Sequence, residues 1–263
     1  MTNASMFDLT DRVALVTGGG THLGRAMAEG LAAHGAKTFV AGRRTALIEE
    51  TAAAIRAGGG WCQAVQMDIT DPERVQAVLS EIASDAGPID IAVCNAGAND
   101  EGSFPPDTDL DAVRATWESH LLGTVTTANA AARYMLPRHS GSIITVSSVH
   151  GSLAADPRLY EGLGKKKRSS LAYQTSKAAI IGLTRNLAAE FGRSGVRVNC
   201  ISPGHVPKPD ADPEFVRRLV DGNALGVRGV PDDMKGAVVL LASDAGRFIT
   251  GHNLVVDGGW SIW

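Results

Sequence analysis

Cysteine is scarce: three occur in 263 residues, at Cys62, Cys94 and Cys200. The number is odd and no CxxC spacing occurs, which argues against a disulfide framework and against a cysteine-based zinc site. Cys62 and Cys94 lie in or beside apolar runs, so buried inert thiols are expected and no metal is. Long apolar runs are missing as well; none approaches the roughly 20 residues of a membrane-spanning helix. The opening MTNASMFDLTDR carries acidic residues and no apolar centre, unlike a secretion signal. Charge of one sign is not in excess either. A formal net charge of −3 gives no reason to expect nucleic acid or an anionic membrane as a partner. The only dense positive run, KKKR at 165–168, reads as a solvated turn. What is present is 44% hydrophobic and 20% charged residues, enough for a sizeable core and too apolar for disorder. A reducing cytoplasm fits this composition.

Short β-branched apolar runs alternate with longer stretches of helical periodicity. The predicted strands are RVALVT (12–17), KTFVA (37–41), CQAVQM (62–67), IDIAVC (89–94), GSIITVS (141–147), RVNCIS (197–202) and NLVVD (253–257). Helical patterns such as LGRAMAEGLAAHG (23–35) separate them. The expected fold class is therefore α/β, a doubly wound parallel sheet of the Rossmann type in three layers, forming a single domain over 1–263. In MDITDPERV, Asp71 suits a helix cap and Pro72 the first helical position. Two stretches, 149–170 and 204–230, break the rhythm and are expected to be substrate loops, the second acting as a mobile lid.

TGGGTHLG (17–24) follows the first strand and opens a helix. Such a turn offers unpaired helix amides to a pyrophosphate, with glycines permitting its close approach. The candidate phosphate cradle comprises Gly18, Gly20, Thr21, His22, Leu23 and Gly24. The second strand ends VAGRR. Gly42 stands where an NAD enzyme places a carboxylate for the ribose 2′-hydroxyl, and Arg43 and Arg44 follow, suited to gripping a 2′-phosphate. NADP(H) is thus favoured, with NAD(H) possible.

Further fragments occur in order: NAG (95–97), a serine pair ending the fifth strand, YQTSK (173–177), PG (203–204) and TGHNLVVDGGW near the end. Together these resemble the short-chain dehydrogenase/reductase family over nearly the whole chain. DPRLYEG in the 149–170 loop, with VVDGGW, resembles the subset near gluconate 5-dehydrogenase and related sugar-acid enzymes. The resemblance implies a hydride transfer between a nicotinamide cofactor and an alcohol or ketone. It implies cofactor contacts by Asp68, Ile69, Asn95, Ala96, Gly97, Pro203, Gly204 and Val206, and by Tyr173 and Lys177 at the nicotinamide ribose. Tyr173 and Lys177, four apart, share one helix face. A free phenol titrates near pH 10, so acid–base work near neutrality needs roughly 4 kcal/mol of help; an ammonium about 4 Å away supplies a similar amount. Tyr173 is thus the expected acid–base group and Ser148 the oxyanion donor. Ser148 is preferred to Ser147 because Gly151 stands three residues beyond it.

Two positions depart from the family pattern. His22 replaces a glycine, with its imidazole either facing solvent or touching a cofactor phosphate. His120, in WESHLLG, replaces an asparagine that links the lysine to solvent; it is expected either to keep that relay or to be a buried histidine bonded to a carbonyl. Ser148 and Tyr173 lie 25 positions apart, more than in much of the family. In that extra loop Arg158 or Arg168 is a candidate carboxylate clamp, and His150 a candidate substrate contact or a core histidine. Lys208 stands where a threonine often contacts the nicotinamide amide. The expected substrate is a sugar, sugar acid or polyol. The alternatives are an apolar ketone or acyl thioester, or a non-catalytic dinucleotide-binding regulator. By resemblance, helices near 111–136 and 171–192 build a homotetramer, and Trp260 and Trp263 pack on a neighbouring subunit or on their own.

Overall fold

Seven strands form one parallel sheet in the order β3-β2-β1-β4-β5-β6-β7. The computed structural model describes residues 6–97, 104–163 and 169–263. The chain runs β1 (Val13–Thr17), α1 (His22–Ala33), β2 (Lys37–Gly42), α2 (Thr45–Ala57), β3 (Cys62–Gln66), α3 (Pro72–Ala86) and β4 (Ile91–Cys94). It continues with α4 (Leu110–Trp117), α5 (Gly123–Met135), β5 (Gly141–Val146), α6 (Leu171–Phe191), β6 (Val196–Pro203), α7 (Pro213–Gly222), α8 (Asp233–Ala242) and β7 (Asn253–Val256). All seven predicted strands are present, with ends shifted by up to two residues.

The central strands are apolar on both faces because helices cover both. In β1, Val13 and Leu15 join a core with Val75, Ile82, Met135 and Leu187 from α3, α5 and α6. Ala14 and Val16 point the other way, against Met27 and Leu31 of α1, Ile48 of α2 and Val238 of α8. Alternation along a single strand thus builds the two halves of a three-layer domain.

Helix entry follows the expected chemistry where the caps are polar. Asp71 accepts a hydrogen bond from the Arg74 amide at 2.9 Å, with Pro72 in the first position of α3. The same device recurs where a loop was expected. Within 204–230, Asp212 accepts from the amides of Glu214 and Phe215, Pro213 follows, and α7 runs to Gly222. Glu214–Arg218 and Arg217–Asp221 pairs, four residues apart, support it. The 204–230 stretch is therefore loop, helix and loop. The helix expected over 111–136 is likewise divided, by a π turn at Glu118–Leu122 between α4 and α5.

The sheet order reverses between β1 and β4, and the crevice beyond the strand C-termini at such a point is where open α/β sheets bind ligands. Thr17 closes the floor of that crevice. Its hydroxyl donates to the Val93 carbonyl at 3.2 Å and accepts the amides of Asn95 and Ala96 at 3.0 and 3.1 Å. The β1 turn and the NAG turn are thereby locked side by side.

Candidate active site

Gly18, Arg43, Asp68, Asn95, Ser148 and Gly204 each follow the C-terminal end of a different strand, so the topology gathers them along one edge. At the β1 end, Gly18 adopts φ +66, and a Cβ at Gly24 would overlap the Gly18 carbonyl and the Asn95 amide. The Asn95 side chain donates to the carbonyls of Thr17 and Gly18 at 3.0 and 3.3 Å. A Cβ at Gly20 would press on the backbone of α2 at Leu47 and Ile48, while Leu23 packs into the α1 side of the core. Thr21 occupies the α1 N-cap without a side-chain capping bond, and the first turn holds no acidic residue. The amides at this end therefore have no side-chain acceptor and suit a pyrophosphate.

His22 takes φ +49, the left-handed region that favours glycine. Its imidazole is turned only partly toward solvent. It is half-buried, with Nε2 enclosed, and it bonds the backbone of Val206 in the loop after β6. Burial, with the nearby Lys208 charge, lowers its pKa against the raising effect of that bond. Arg228 holds the same loop, donating to the carbonyls of Pro207 and Lys208.

At the β2 end, Arg43 and Arg44 are both exposed. Arg43 lies 3.9 Å from Asp68, which also accepts from the amide and hydroxyl of Thr70 at 3.0 and 2.8 Å. Ile69 turns its side chain into the core against Gly123 and leaves its backbone at the edge.

The candidate catalytic side chains lie between β5 and α6. Lys177 is buried, and its Nζ donates to the Val146 carbonyl at 3.0 Å while lying 5.5 Å from the Tyr173 ring centre. Burial pushes its pKa down to about 8, against a small opposing influence of Cys200. Ser147 and Ser148 have different tasks. The Ser147 hydroxyl donates to the Lys177 carbonyl at 2.7 Å, and Gly151 packs so tightly there that a Cβ would meet both groups. Ser148 starts the next turn, its hydroxyl accepting the His150 amide at 3.1 Å. Ser170 caps α6 through the Tyr173 amide, fixing where the YxxxK pattern begins. His120 is buried on the π turn, its ring edge-on to Tyr173 at 5.5 Å. Gly97 lies directly on that imidazole, and a Cβ there would overlap it.

Arg158 is not brought to this site. Its guanidinium forks onto Asp156 at 2.8–3.1 Å and is 83% exposed, because the turn at Pro157–Tyr160 places both side chains on the outer surface. Arg168 and the rest of KKKR lie outside the described residues. Trp260 packs within its own chain, against Gly222 and His205. His205, in SPGHV, was not singled out from sequence, although it directly follows the PG pair. Among the described residues no cluster of three or more His, Cys, Asp or Glu is arranged to hold a metal. No described helix is long and apolar enough to cross a membrane.

A family model described as Enoyl-(Acyl carrier protein) reductase matches residues 20–261. (+)-Borneol dehydrogenase 2 of Salvia officinalis is 34% identical over 96% of this chain and 90% of its own. The chain belongs to the short-chain dehydrogenase/reductase family. Gluconate 5-dehydrogenase of Gluconobacter oxydans is 30% identical over 100% of this chain and 99% of its own. A gluconate 5-dehydrogenase of Burkholderia cenocepacia, solved in complex with NADP and tartrate, superimposes with a TM-score of 0.88 at 29% identity, covering 99% of both chains. As a member of this family, the chain is an oxidoreductase that takes a nicotinamide cofactor and a small-molecule substrate.

His22→Ala retains the left-handed backbone, whereas His22→Gly removes its cost. The glycine variant is expected to be more stable than the alanine variant by about 1 kcal/mol, measured by urea unfolding; equal stabilities would show that the backbone there is unstrained. For Lys177, burial holds the folded pKa at about 8, below the ordinary 10.5. Between these values the unfolded chain binds more protons, so stability gained from this group rises with pH. In cofactor-free protein, the stability of wild type relative to Lys177→Met should increase as pH climbs through that window, measured by thermal unfolding. A constant difference would reject the lowered pKa.

Proposed function

We propose that this enzyme transfers a hydride between NADP(H) and a secondary alcohol or ketone of a sugar, sugar acid or polyol, in a cytoplasmic setting. The observation that carries the reading is the buried Lys177 amine, 5.5 Å from the Tyr173 ring centre, at the end of the strand that leads into Ser148. A cation beside a phenol favours the phenolate, so Tyr173 can give a proton to a carbonyl oxygen or take one from an alcohol. Ser148 supplies the hydrogen bond to the same oxygen, since Ser147 is engaged by the helix. Lys177 also reaches the nicotinamide ribose, and His120, beside Tyr173, links the pair to solvent. The bound cofactor supplies the hydride.

Cofactor contacts fall to the amides from Gly18 to Gly24, to Asp68 and Ile69 at the adenine, to Asn95, Ala96 and Gly97, and to the loop of Pro203, Gly204 and Val206. His22 ties the phosphate turn to that loop. NADP(H) is favoured over NAD(H) by the absence of a carboxylate at Gly42 and by the exposed guanidiniums of Arg43 and Arg44. A solved relative with bound NADP agrees with that preference. Polyhydroxylated substrates are supported by the likeness to gluconate 5-dehydrogenases, whereas the borneol dehydrogenase relative keeps the apolar ketone as the rival.

Tyr173→Phe should lower turnover by about 10²–10⁴-fold with cofactor binding retained in a fluorescence titration. Arg43→Glu should shift the NADP/NAD affinity ratio at least about tenfold toward NAD. Cofactor binding without turnover on any polyol, ketone or acyl thioester would favour a regulator instead. We further propose a homotetramer assembled through α4, α5 and α6, supported by exposed Leu110, Trp117 and Leu122. Light scattering should give four times the chain mass of 27.4 kDa; a monomer would reject this.

A further inference from the structure

Beyond Ser148 the chain places two histidines ring to ring. His150 sits on the turn Val149–Gly151 that Ser148 opens, and His205 directly follows Gly204 in the loop after β6. Their ring centres are 5.2 Å apart at an interplanar angle of 82°. His150 is 9% exposed, yet its Nδ1 has no hydrogen-bond partner; both ring nitrogens of His205 are buried and lack one as well. Three buried, unpaired ring nitrogens at one place are costly and call for a ligand. Trp260 backs His205 with ring centres 4.5 Å apart. His205 and Trp260 also border a cavity of about 300 Å³ whose walls include Val216, Leu219 and Val256. The paired rings therefore stand between the turn that presents Ser148 and a mostly apolar chamber of small-molecule size.

We propose that His150 and His205 form a substrate subsite that hydrogen-bonds a hydroxyl group on a carbon next to the reacting one, making the enzyme selective for vicinal diols and polyols over simple alcohols. The proposal rests on the dehydrogenase reading and narrows its substrate class. It extends the expectation for His150 and adds His205, a specificity-determining residue. The chemistry favours an uncharged hydroxyl over a carboxylate. Burial lowers the pKa of both rings: that of His150 against the raising effect of a bond to the Leu153 backbone, and that of His205 to about 4, where the neighbouring His150 adds to the effect and Asp257 opposes it. A neutral imidazole offers one donor and one acceptor, as a hydroxyl does. A carboxylate only accepts, and would leave the acceptor nitrogens facing an anion. An alcohol lacking the second hydroxyl would enter the chamber and leave the ring nitrogens unpaired, which is the arrangement that discriminates most strongly between substrates.

The test compares cis-cyclohexane-1,2-diol with cyclohexanol, using wild type, His205→Leu and His150→Leu. In wild type the diol should be favoured at least about tenfold in kcat/KM, and either substitution should erase most of that ratio. A wild-type ratio near one, or a ratio unmoved by both substitutions, overturns the proposal. A binding measurement on wild type needs no variant to fold. With NADPH bound, the imidazole ¹⁵N resonances of His150 and His205 should move on addition of the diol and stay in place with cyclohexanol. Unmoved resonances would mean that only water occupies the subsite, which also overturns it. If the resonances move but no alcohol turns over, the subsite stands and the dehydrogenase reading fails.

Discussion

A reciprocal pair of bonds sets the distance between the fifth strand and the long helix opposite. The Lys177 amine donates to the carbonyl of Val146, and the Ser147 hydroxyl donates to the carbonyl of Lys177. Each partner is both side chain and backbone, so neither element can slide by one residue without breaking both links. Gly151 permits the approach, since any side chain there would strike the same carbonyl. Because Ser148 is the next residue and Tyr173 lies one turn back along α6, the spacing of these two proposed reacting groups follows from this joint. Burying an amine is costly unless its protons are bonded, and the Val146 carbonyl meets part of that need within the protein. The same burial lowers the lysine pKa to about 8.

The proposed cofactor end depends on a second joint, between β1 and β4. Asn95 donates to Thr17 from both its backbone amide and its side chain, and the Ala96 amide donates to the Thr17 hydroxyl, across the point where the sheet order reverses. This holds two glycine-containing turns together. The α1 amides are left without a side-chain cap, which leaves them to an anion. The two joints sit at the ends of neighbouring strands, β4 and β5, so the sheet itself sets the separation between the proposed phosphate cradle and the proposed acid–base pair.

Much of this was legible in the sequence because it lies in local patterns. Period and β-branching located all seven strands, and polar caps marked α3. α7 carried the same signal in DPEFV, but the glycines and prolines around it obscured a helix of only ten residues. Arg158 looked like a clamp from its charge alone; its partner Asp156, two residues earlier, decides where it points. For His22, sequence offered solvent or a cofactor phosphate, and the partner in the structure is the backbone of Val206, in a loop far along the chain. The separate tasks of Ser147 and Ser148 depend on an element thirty residues away. The pairing of His150 with His205 arises only when the ends of β5 and β6 are brought together. Apart from α7 and the Asp156–Arg158 pair, which are local, what eluded sequence reasoning is contact between segments far apart along the chain.

The π turn at Glu118–Leu122 carries one more consequence. The amide of Gly123 reaches back five residues to the Glu118 carbonyl, and this widened loop of backbone holds His120 beside Tyr173. Direction is thus governed by the main chain, and chemistry by whichever side chain occupies the place. Exchanging the residue at 120 retunes the neighbourhood of the phenol without moving it. Removing a single residue from the turn would instead rotate every side chain of α5 relative to the sheet, and so reach the core as well as the site.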